Sequence, residues 1–246
     1  MITEAPRFAG IGRLYGTEAL ARLACSHVVV VGIGGVGSWV AEALARTGIG
    51  RISLIDMDEV CVSNVNRQLH ALDGQVGKPK VEVMAERLRA ISPSCEVRAV
   101  MDFVTPNNLA ELITDDISCV VDCIDSVNAK VALIAWCRRR KIPVITTGGA
   151  GGQIDPTQIT VADLSKTVND PLAAKVMDLM GGMPHGAGPT VEGMLAGQNL
   201  KGIEQGVAMD VPNCQRRKWL CGLGCWSTPR QLAGGWISEP RAEKVY

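Results

Sequence analysis

The sequence predicts an α/β protein built on a doubly wound, mainly parallel sheet. Four consecutive valines, residues 28–31, are typical of a buried strand, and a glycine-rich turn at residues 32–37 then leads into a helix. Short apolar segments alternate with helical segments up to about residue 180. Strands and helices that alternate in this way form a Rossmann-like sheet, whose ligand binds at the carboxyl ends of the strands.

Each element has its own signal along the chain. Thr17 opens a short helix before the first strand, and the helix after the glycine turn ends at Gly48, a residue type that favours helix ends. Pro79 stands in the first turn of a further helix, where no N–H is needed. The predicted helices cover residues 19–25, 37–48, 79–90, 106–113, 126–140 and 171–180. The predicted strands cover residues 28–31, 51–56, 95–100, 117–122 and 142–146, and residues 153–161 are a candidate for one more.

Composition limits the class of protein. The chain has 246 residues and is 47% hydrophobic, which allows a substantial core, and its formal net charge is zero. Without a global basic field, any contact with RNA must come from a local patch. The first residues lack a secretory pattern, and no run of about 18 apolar residues predicts a membrane span. The nine cysteines fall mostly in apolar segments, which indicates reduced, buried thiols and a cytoplasmic setting.

Residues 181–246 differ in character from the rest of the chain. They contain twelve of the 27 glycines and three of the five tryptophans, and helical or alternating periodicity is hard to find in them. We therefore predict an ordered domain, residues 1–180, followed by an atypical, irregular and poorly ordered C-terminal tail, residues 181–246, that adds little to the core. Two explanations of the tail stay open: a loop-rich extension, or out-of-frame translation of GC-rich DNA.

The glycine turn and the segment after the second strand predict a nucleotide site. A helix that starts through glycines presents free N–H groups and a positive dipole end to phosphate. Asp56 closes the second strand, where a carboxylate can hold ribose hydroxyls, and Asn64, Arg67 and Gln68 follow soon after. A nicotinamide cofactor has no need of this cluster. A triphosphate that must be cleaved does need such groups on its oxygens, so the pattern favours activation of a carboxylate by ATP.

The chain resembles the ubiquitin-activating-enzyme-like superfamily of adenylating proteins in four motifs that occur in order: GIGGVGS, IDMDEVCVSNVNRQ, VGKPKVE and VVDCIDSV. Within that superfamily, it is similar to the tRNA threonylcarbamoyladenosine dehydratases in RLYG, ALARTGIG and TTGGAGGQIDPTQI. The resemblance covers roughly residues 7–178 and makes residues 1–180 a ThiF-type ATP-binding adenylation domain. The later portion of that family is not recognisable in this chain.

The resemblance implies an enzyme that uses ATP to dehydrate and cyclise threonylcarbamoyladenosine in tRNA. The threonyl carboxylate attacks the α-phosphate of ATP, which gives an acyl-adenylate and pyrophosphate. The carbamoyl group then displaces AMP and closes a ring, a step assisted by proximity. The implied cofactors are ATP and Mg²⁺. The implied partners are tRNA carrying threonylcarbamoyladenosine, a second copy of the chain in a homodimer, and a cysteine desulfurase system.

The resemblance also implies roles for individual residues. The nucleotide-binding set is Gly32, Gly34, Gly35, Gly37, Ser38, Asp56, Asp58, Asn64 and Gln68, with the Ser38 hydroxyl on the phosphates. The catalytic set is Arg13, Arg67, Lys80 and Asp125. Arg67 stabilises the departing pyrophosphate, Lys80 rather than Lys78 reaches the phosphates from a helix start, and Asp125 holds Mg²⁺. Arg13 is either a finger that acts in the site of the other subunit or a plain surface arginine.

The remaining charged and metal-ligating residues have simpler interpretations. Asp122 is read as a strand-end or helix-capping carboxylate. The basic run at residues 138–141 either stabilises a helix C-terminus or contacts tRNA phosphates. The three histidines, at positions 27, 70 and 185, lack companion ligands and are interpreted as structural. The cysteines at positions 214, 221 and 225 do not form the two CxxC pairs of a zinc site.

Three other functions compete with this interpretation. The main alternative is adenylation of the C-terminus of a ubiquitin-like sulfur carrier protein, and the missing CxxC pairs and the GGAGGQIDPT segment argue against it. An NAD-dependent oxidoreductase would explain the glycine turn and Asp56, but it would leave Arg67 and Lys80 without a task. The third is a non-catalytic partner of a cysteine desulfurase.

Overall fold

The computed structural model describes residues 6–152, 154–155, 159–167 and 170–181 of the chain. Almost the whole predicted tail lies outside the described residues. The predictions for His185 and for Cys214, Cys221 and Cys225 lie outside them too, so these stay predictions.

A five-stranded parallel sheet forms the centre of the protein. Its strands are β1 (His27–Val31), β2 (Arg51–Ile55), β3 (Glu96–Val100), β4 (Cys119–Asp122) and β5 (Val144–Thr146). They lie in the order β3-β2-β1-β4-β5, and each neighbouring pair is parallel. The strand order reverses at β1, and a crevice opens at such a point beyond the carboxyl ends of the strands. The predicted Rossmann-like fold is confirmed.

Helices cover both faces of this sheet. The described helices are α1 (Ala9–Tyr15), α2 (Thr17–Ala24), α3 (Gly37–Thr47), α4 (Lys80–Ile91), α5 (Leu109–Leu112), α6 (Val127–Arg139) and α7 (Pro171–Gly181). Successive side chains of a strand point to opposite faces. Accordingly, Val28 and Val30 pack in a core cluster with α3 and α4, whereas Val29 and Val31 pack in another with α5 and α6. The run of valines is therefore buried on both sides.

Several boundaries differ from the prediction. α1 is an additional helix that weak periodicity did not reveal, and Pro79 caps α4 from outside instead of standing in its first turn. The helix predicted at 106–113 shrinks to α5, because the Asn108 side chain bonds to Thr105 and to the carbonyl of Phe103 and holds the chain before it as a loop. No described residue within 153–161 lies in a strand.

Two findings concern membrane-spanning helices and the cysteines. In the described part of the chain, no helix is both long enough and apolar enough to cross a membrane. The cysteines described there are all free; Cys95, Cys119 and Cys137 are buried, whereas Cys25 and Cys61 are exposed. The predicted burial thus holds for these three thiols, and the predicted reduced state stays a prediction.

Candidate functional site

A cavity of about 920 Å³ opens at the carboxyl ends of the strands. The segments that follow the five strands line it, with residues drawn from 31–36, 55–68, 102–105, 123–129 and 147–150. Lys80 at the start of α4 and Leu172 on α7 complete the wall. The cavity therefore lies where a doubly wound sheet places its ligand.

The glycine turn after β1 owes its shape to close backbone contacts. Gly32 has φ +85°, and a Cβ there would lie 2.8 Å from the Cys123 carbonyl oxygen. A Cβ on Gly37 would lie 1.8 Å from the carbonyl oxygen of Gly32. Gly34 and Gly35 line the cavity, whereas Gly37 does not. Gly37 thus allows α3 to start close against β1, and Gly34 and Gly35 present the backbone to a ligand.

Ser38 is not brought to the cavity. Its side chain is fully buried, and its hydroxyl accepts a hydrogen bond from the Leu69 N–H at 3.3 Å. The second residue of α3 points inward, since that face of the helix packs on the protein. The hydroxyl predicted to reach the phosphates instead anchors the chain after Gln68.

Asp56, Asp58 and Lys80 form a connected group of charged residues next to the glycine turn. Asp56 accepts hydrogen bonds from the backbone N–H of Ile33 at 2.5 Å and of Asp58 at 2.8 Å. The ammonium of Lys80 lies 2.7 Å from Asp58 Oδ2, and only 7% of the Lys80 side chain is exposed. All three residues line the cavity, whereas Lys78 bonds to Gln75 outside it. Asp58 therefore orients Lys80.

Within the described chain, residues 64–68 supply a cation without an ion-pair partner and a buried acceptor without a hydrogen-bond partner. The Arg67 guanidinium bonds only to neutral oxygens, those of Ser63 and Asn66, each at 3.0 Å, and to no carboxylate among the described residues. Asn64 is buried, and its Oδ1 caps the preceding turn by accepting the Cys61 N–H at 3.0 Å. The Oε1 of Gln68 is buried and has no hydrogen-bond partner within the described ranges. A buried acceptor left unpaired costs about 1–3 kcal/mol, so a bound donor would relieve it.

The two aspartates after β4 have different surroundings. Asp125 is exposed on the cavity wall, and its carboxylate has no hydrogen bond or ion pair with the described residues. Asp122 is fully buried and pairs with Lys130 at 2.9 Å. Within the part of the chain that is described, no group of three or more His, Cys, Asp or Glu residues could hold a metal ion. A metal here would depend on Asp125 and on oxygens of the ligand.

Cys123 and His70 are poor candidates for chemistry, whereas Cys61, a second cysteine that lines the cavity, is exposed. Burial raises the pKa of the Cys123 thiol, which lines the cavity, to about 12, so it stays protonated and weakly nucleophilic at neutral pH. Burial, and then the charge of Lys80, lower the pKa of His70 to about 4. His70 is therefore neutral, and its ring nitrogens have no hydrogen-bond partner among the residues that the structure describes.

Some cavity features were missed at the level of sequence, and one predicted residue lies elsewhere. Residues 102–105 and 147–150 line the cavity, and the glycines after β5 were the available signal for the second segment. In that segment, Gly149 donates its N–H to Asp170, which also caps α7 through the Ala173 N–H. Arg13 is exposed on α1 and does not line the cavity.

The profile of the ThiF family matches residues 9–180, a range that contains every cavity-lining residue. The chain belongs to the ThiF family. Among ThiF proteins, it is 65% identical to the tRNA threonylcarbamoyladenosine dehydratase of Escherichia coli over 172 residues, which are 70% of this chain and 64% of that protein. The dehydratase of Haemophilus influenzae is 58% identical over 174 residues, 71% of this chain and 67% of that protein. This ThiF chain thus spans about two thirds of the length of these relatives.

A solved structure gives the same relationship. The E. coli dehydratase in complex with ATP has a TM-score of 0.70 and 64% identity, with 71% of this chain and 72% of that chain covered. Among the curated relatives, the molybdopterin-synthase adenylyltransferase of E. coli is 37% identical over 146 residues, 59% of this chain and 56% of that protein.

Proposed function

We propose that this chain is an ATP-dependent tRNA threonylcarbamoyladenosine dehydratase. One observation carries the proposal: the chain is 65% and 58% identical to the E. coli and H. influenzae dehydratases over 172 and 174 residues. The family match at residues 9–180 has about the same length and includes every residue that lines the cavity. The sulfur-carrier alternative has weaker support, since the adenylyltransferase of that class is 37% identical. The proposed reaction requires modified tRNA, so we propose that the protein acts in the cytoplasm.

The cavity has suitable groups for ATP. The glycine turn leaves space for phosphates where a side chain would intrude, because a Cβ on Gly35 would already lie 3.3 Å from the Arg67 side chain. Asp56, at the end of β2, is in position to accept ribose hydroxyls. Arg67 and Lys80 would hold the phosphate oxygens, and the unpaired Oε1 of Gln68 would accept a hydroxyl or water donor.

Charge balance supports the need for a metal ion. The cavity is lined by five carboxylates and two cations; the carboxylates are Asp56, Asp58, Glu59, Asp102 and Asp125, and the cations are Arg67 and Lys80. A triphosphate adds further negative charge to this acidic wall. Mg²⁺ held by Asp125 and phosphate oxygens would supply positive charge and polarise the α-phosphate for attack.

The chemistry then follows in two steps. The threonyl carboxylate of the modified nucleoside attacks the α-phosphorus, a P–O bond forms, and pyrophosphate leaves with its charge stabilised by Arg67. The carbamoyl group next attacks the activated carbonyl, and AMP leaves with one oxygen of the former carboxylate. The substrate has lost the elements of water. Both reacting groups belong to one nucleoside, so the second step is intramolecular and needs no protein nucleophile.

Nucleoside mass spectrometry tests this function directly. The protein is incubated with ATP, Mg²⁺ and tRNA that carries linear threonylcarbamoyladenosine, and the digested nucleosides are compared with those of a reaction without ATP. We expect ATP-dependent loss of the mass of one water from the modified nucleoside. A modified nucleoside unchanged by the wild-type chain, in the presence of bound ATP, would contradict the proposed substrate.

Thermal unfolding with different nucleotides is the control for this test. ATP with Mg²⁺ should raise Tm, since ligand that binds only the folded state stabilises it. NAD should leave Tm unchanged, because Arg67 and Lys80 suit a triphosphate. A Tm increase with NAD equal to that with ATP would favour the NAD-dependent oxidoreductase instead.

We also propose that the active form is a homodimer in which Arg13 completes the site of the other subunit. The cavity of one chain has two cations for a triphosphate, and Arg13 lies exposed outside that cavity. Large apolar side chains are also exposed on α1, on α3 and in the segment after β2: Leu14, Trp39, Val62, Val65 and Leu72. An isologous interface would cover such side chains and carry each Arg13 to its neighbour.

Mixing two inactive variants tests the arginine in trans. Arg13→Ala and Asp125→Ala proteins should each be inactive, whereas the mixed dimer has one intact site, formed by Asp125 of one subunit and Arg13 of the other. Random exchange of subunits in isologous dimers should restore about a quarter of the wild-type activity. Mixing Asp125→Ala with Arg67→Ala is the control and should restore none, because both residues line the same cavity. Equal failure of both mixtures would refute the role of Arg13 in trans.

The predicted link to a cysteine desulfurase and the contact of residues 138–141 with tRNA stay predictions. Arg140 pairs with Asp115 at 2.9 Å and lies over the Trp136 ring at 4.5 Å. This residue of the basic run therefore has a local structural role.

A further inference from the structure

Lys130 is the most deeply buried cation of the described chain, and it does not line the cavity. Its exposed fraction is 1%, and that of its partner Asp122 is 0%. The ammonium donates to Asp122 Oδ2 at 2.9 Å, to Thr146 Oγ1 at 3.0 Å and to the carbonyl oxygen of Thr147 at 3.1 Å. A lysine ammonium has three donors, so its hydrogen-bonding capacity is filled.

These bonds connect two segments of the cavity wall. Asp122 is the last residue of β4, and its Oδ1 accepts the N–H of Ile124, which fixes the turn that leads to Asp125. Thr147 begins the glycine segment after β5, and Lys130 holds its carbonyl oxygen. The Thr146 hydroxyl also donates to Asp122 Oδ2 at 2.6 Å. One ammonium thus holds the 123–126 and 147–150 segments at a fixed separation.

Stability alone does not account for this ion pair. Burying both charges removes their hydration, and a buried pair often adds no more stability than apolar residues of the same volume. Its position at the strand ends, directly behind two cavity-lining segments, indicates another benefit. Groups that support a metal ligand from behind set its orientation and thereby its affinity for the ion.

We propose that Lys130, together with Asp122 and Thr146, is a positioning group that orients Asp125 for Mg²⁺ and fixes the glycine segment opposite it. The inference rests on the proposed function and deepens it. Lys130 touches neither ATP nor the reacting atoms; it acts through the backbone of Ile124 and Thr147. Its loss should therefore change the Mg²⁺ dependence of ATP binding and leave metal-free ATP binding unchanged.

The test uses the double variant Asp122→Asn/Lys130→Met, which removes both charges, keeps similar volumes and leaves no unpaired ion in the core. Calorimetry measures ATP binding with and without Mg²⁺, and ATP–pyrophosphate exchange with substrate tRNA measures activation. We expect the Mg²⁺ concentration for half-maximal ATP binding to rise about tenfold, with metal-free ATP affinity unchanged. Exchange should fall by a similar factor at subsaturating Mg²⁺ and recover in part at high Mg²⁺.

Two controls separate positioning from loss of fold. Leu133→Ala removes a fully buried side chain from the same helix and should lower Tm without changing the Mg²⁺ dependence. Should the double variant fail to fold, Thr146→Val provides the same test through one lost hydroxyl. Thr146→Val should raise the Mg²⁺ concentration for half-maximal ATP binding by a smaller factor than the double variant does. Thr146→Ser keeps the hydroxyl and should return that concentration to the wild-type value.

The outcomes are distinct. A folded double variant, or Thr146→Val, with wild-type Mg²⁺ dependence would overturn the positioning role while leaving the proposed function intact. A wild-type protein that binds no ATP would overturn the proposed function and this inference together.

Discussion

Alanine in place of Arg67 or Asp125 is expected to lower turnover of the modified nucleoside by about 10²-fold or more, the usual effect of losing a preorganised charge in an active site. Arg67 has no carboxylate partner among the described residues, so its charge is available to the leaving pyrophosphate. Asp125 likewise has a carboxylate at the cavity wall that no described residue pairs with. Initial rates by nucleoside mass spectrometry give the size of both effects.

The conservative variants identify what each side chain contributes. Asp125→Asn keeps the shape and removes the charge, so it should lose activity as Asp125→Ala does, with Tm unchanged and metal-free ATP binding nearly intact. Arg67→Lys keeps the charge but lacks the planar guanidinium, so its turnover should lie between those of the wild type and of Arg67→Ala. Asp73→Asn is the matched control, since Asp73 is exposed and outside the cavity, and it should have no effect. Full activity of Asp125→Asn would contradict the metal assignment.

Gly37→Ala is expected to abolish ATP binding and to destabilise the fold by about 3 kcal/mol or more, beyond the usual cost of an extra methyl group in a packed core. The new Cβ would lie 1.8 Å from the carbonyl oxygen of Gly32, so the start of α3 must move away from β1. This shift would displace Gly34 and Gly35 in the cavity wall. Urea unfolding gives the change in stability, and calorimetry gives the loss of ATP affinity.

Gly10→Ala is the matched control for this substitution. Gly10 lies in α1, and a Cβ there has no neighbour within 4 Å among the described residues. Since alanine favours a helix more than glycine does, stability should stay equal or rise by up to about 1 kcal/mol. If Gly37→Ala behaved like Gly10→Ala, the close approach of α3 to β1 would not control the site.

Several of the residues that the sequence placed in the cavity follow the ends of strands, whereas Lys80 stands at a helix start. Asp56 directly follows β2, and Asp125 stands in the turn after β4. The carboxyl ends of parallel strands meet at one edge, so a correct order of strands and helices already brings such residues together. The pattern could not place Ser38, because a residue just inside a helix points to solvent, ligand or core according to how the helix packs.

Side-chain hydrogen bonds, local in one case and long-range in the other, explain the other gaps. Asn108 holds residues 102–105 in the cavity wall through side-chain bonds, and Asp170 holds Gly149 through a bond across 21 positions. Lys130 is one more polar residue of α6 in the sequence, yet it is buried and its ammonium bonds to Asp122 and Thr146 at the ends of β4 and β5. The predicted division at residue 180 and the irregular tail remain predictions.

Apolar periodicity and glycine spacing are local properties of the chain, so they were enough to predict the order of strands and helices, the parallel sheet and the glycine turn. The resemblance to adenylating proteins assigned Arg67, Lys80 and Asp125 to one site, and in the structure all three line one cavity. The folded structure was needed to show that Ser38 faces inward, that Lys130 joins two cavity segments and that Arg13 lies outside its own cavity. The physical reason is that side-chain direction and burial depend on neighbours that are distant in sequence, and packing alone brings those neighbours into contact.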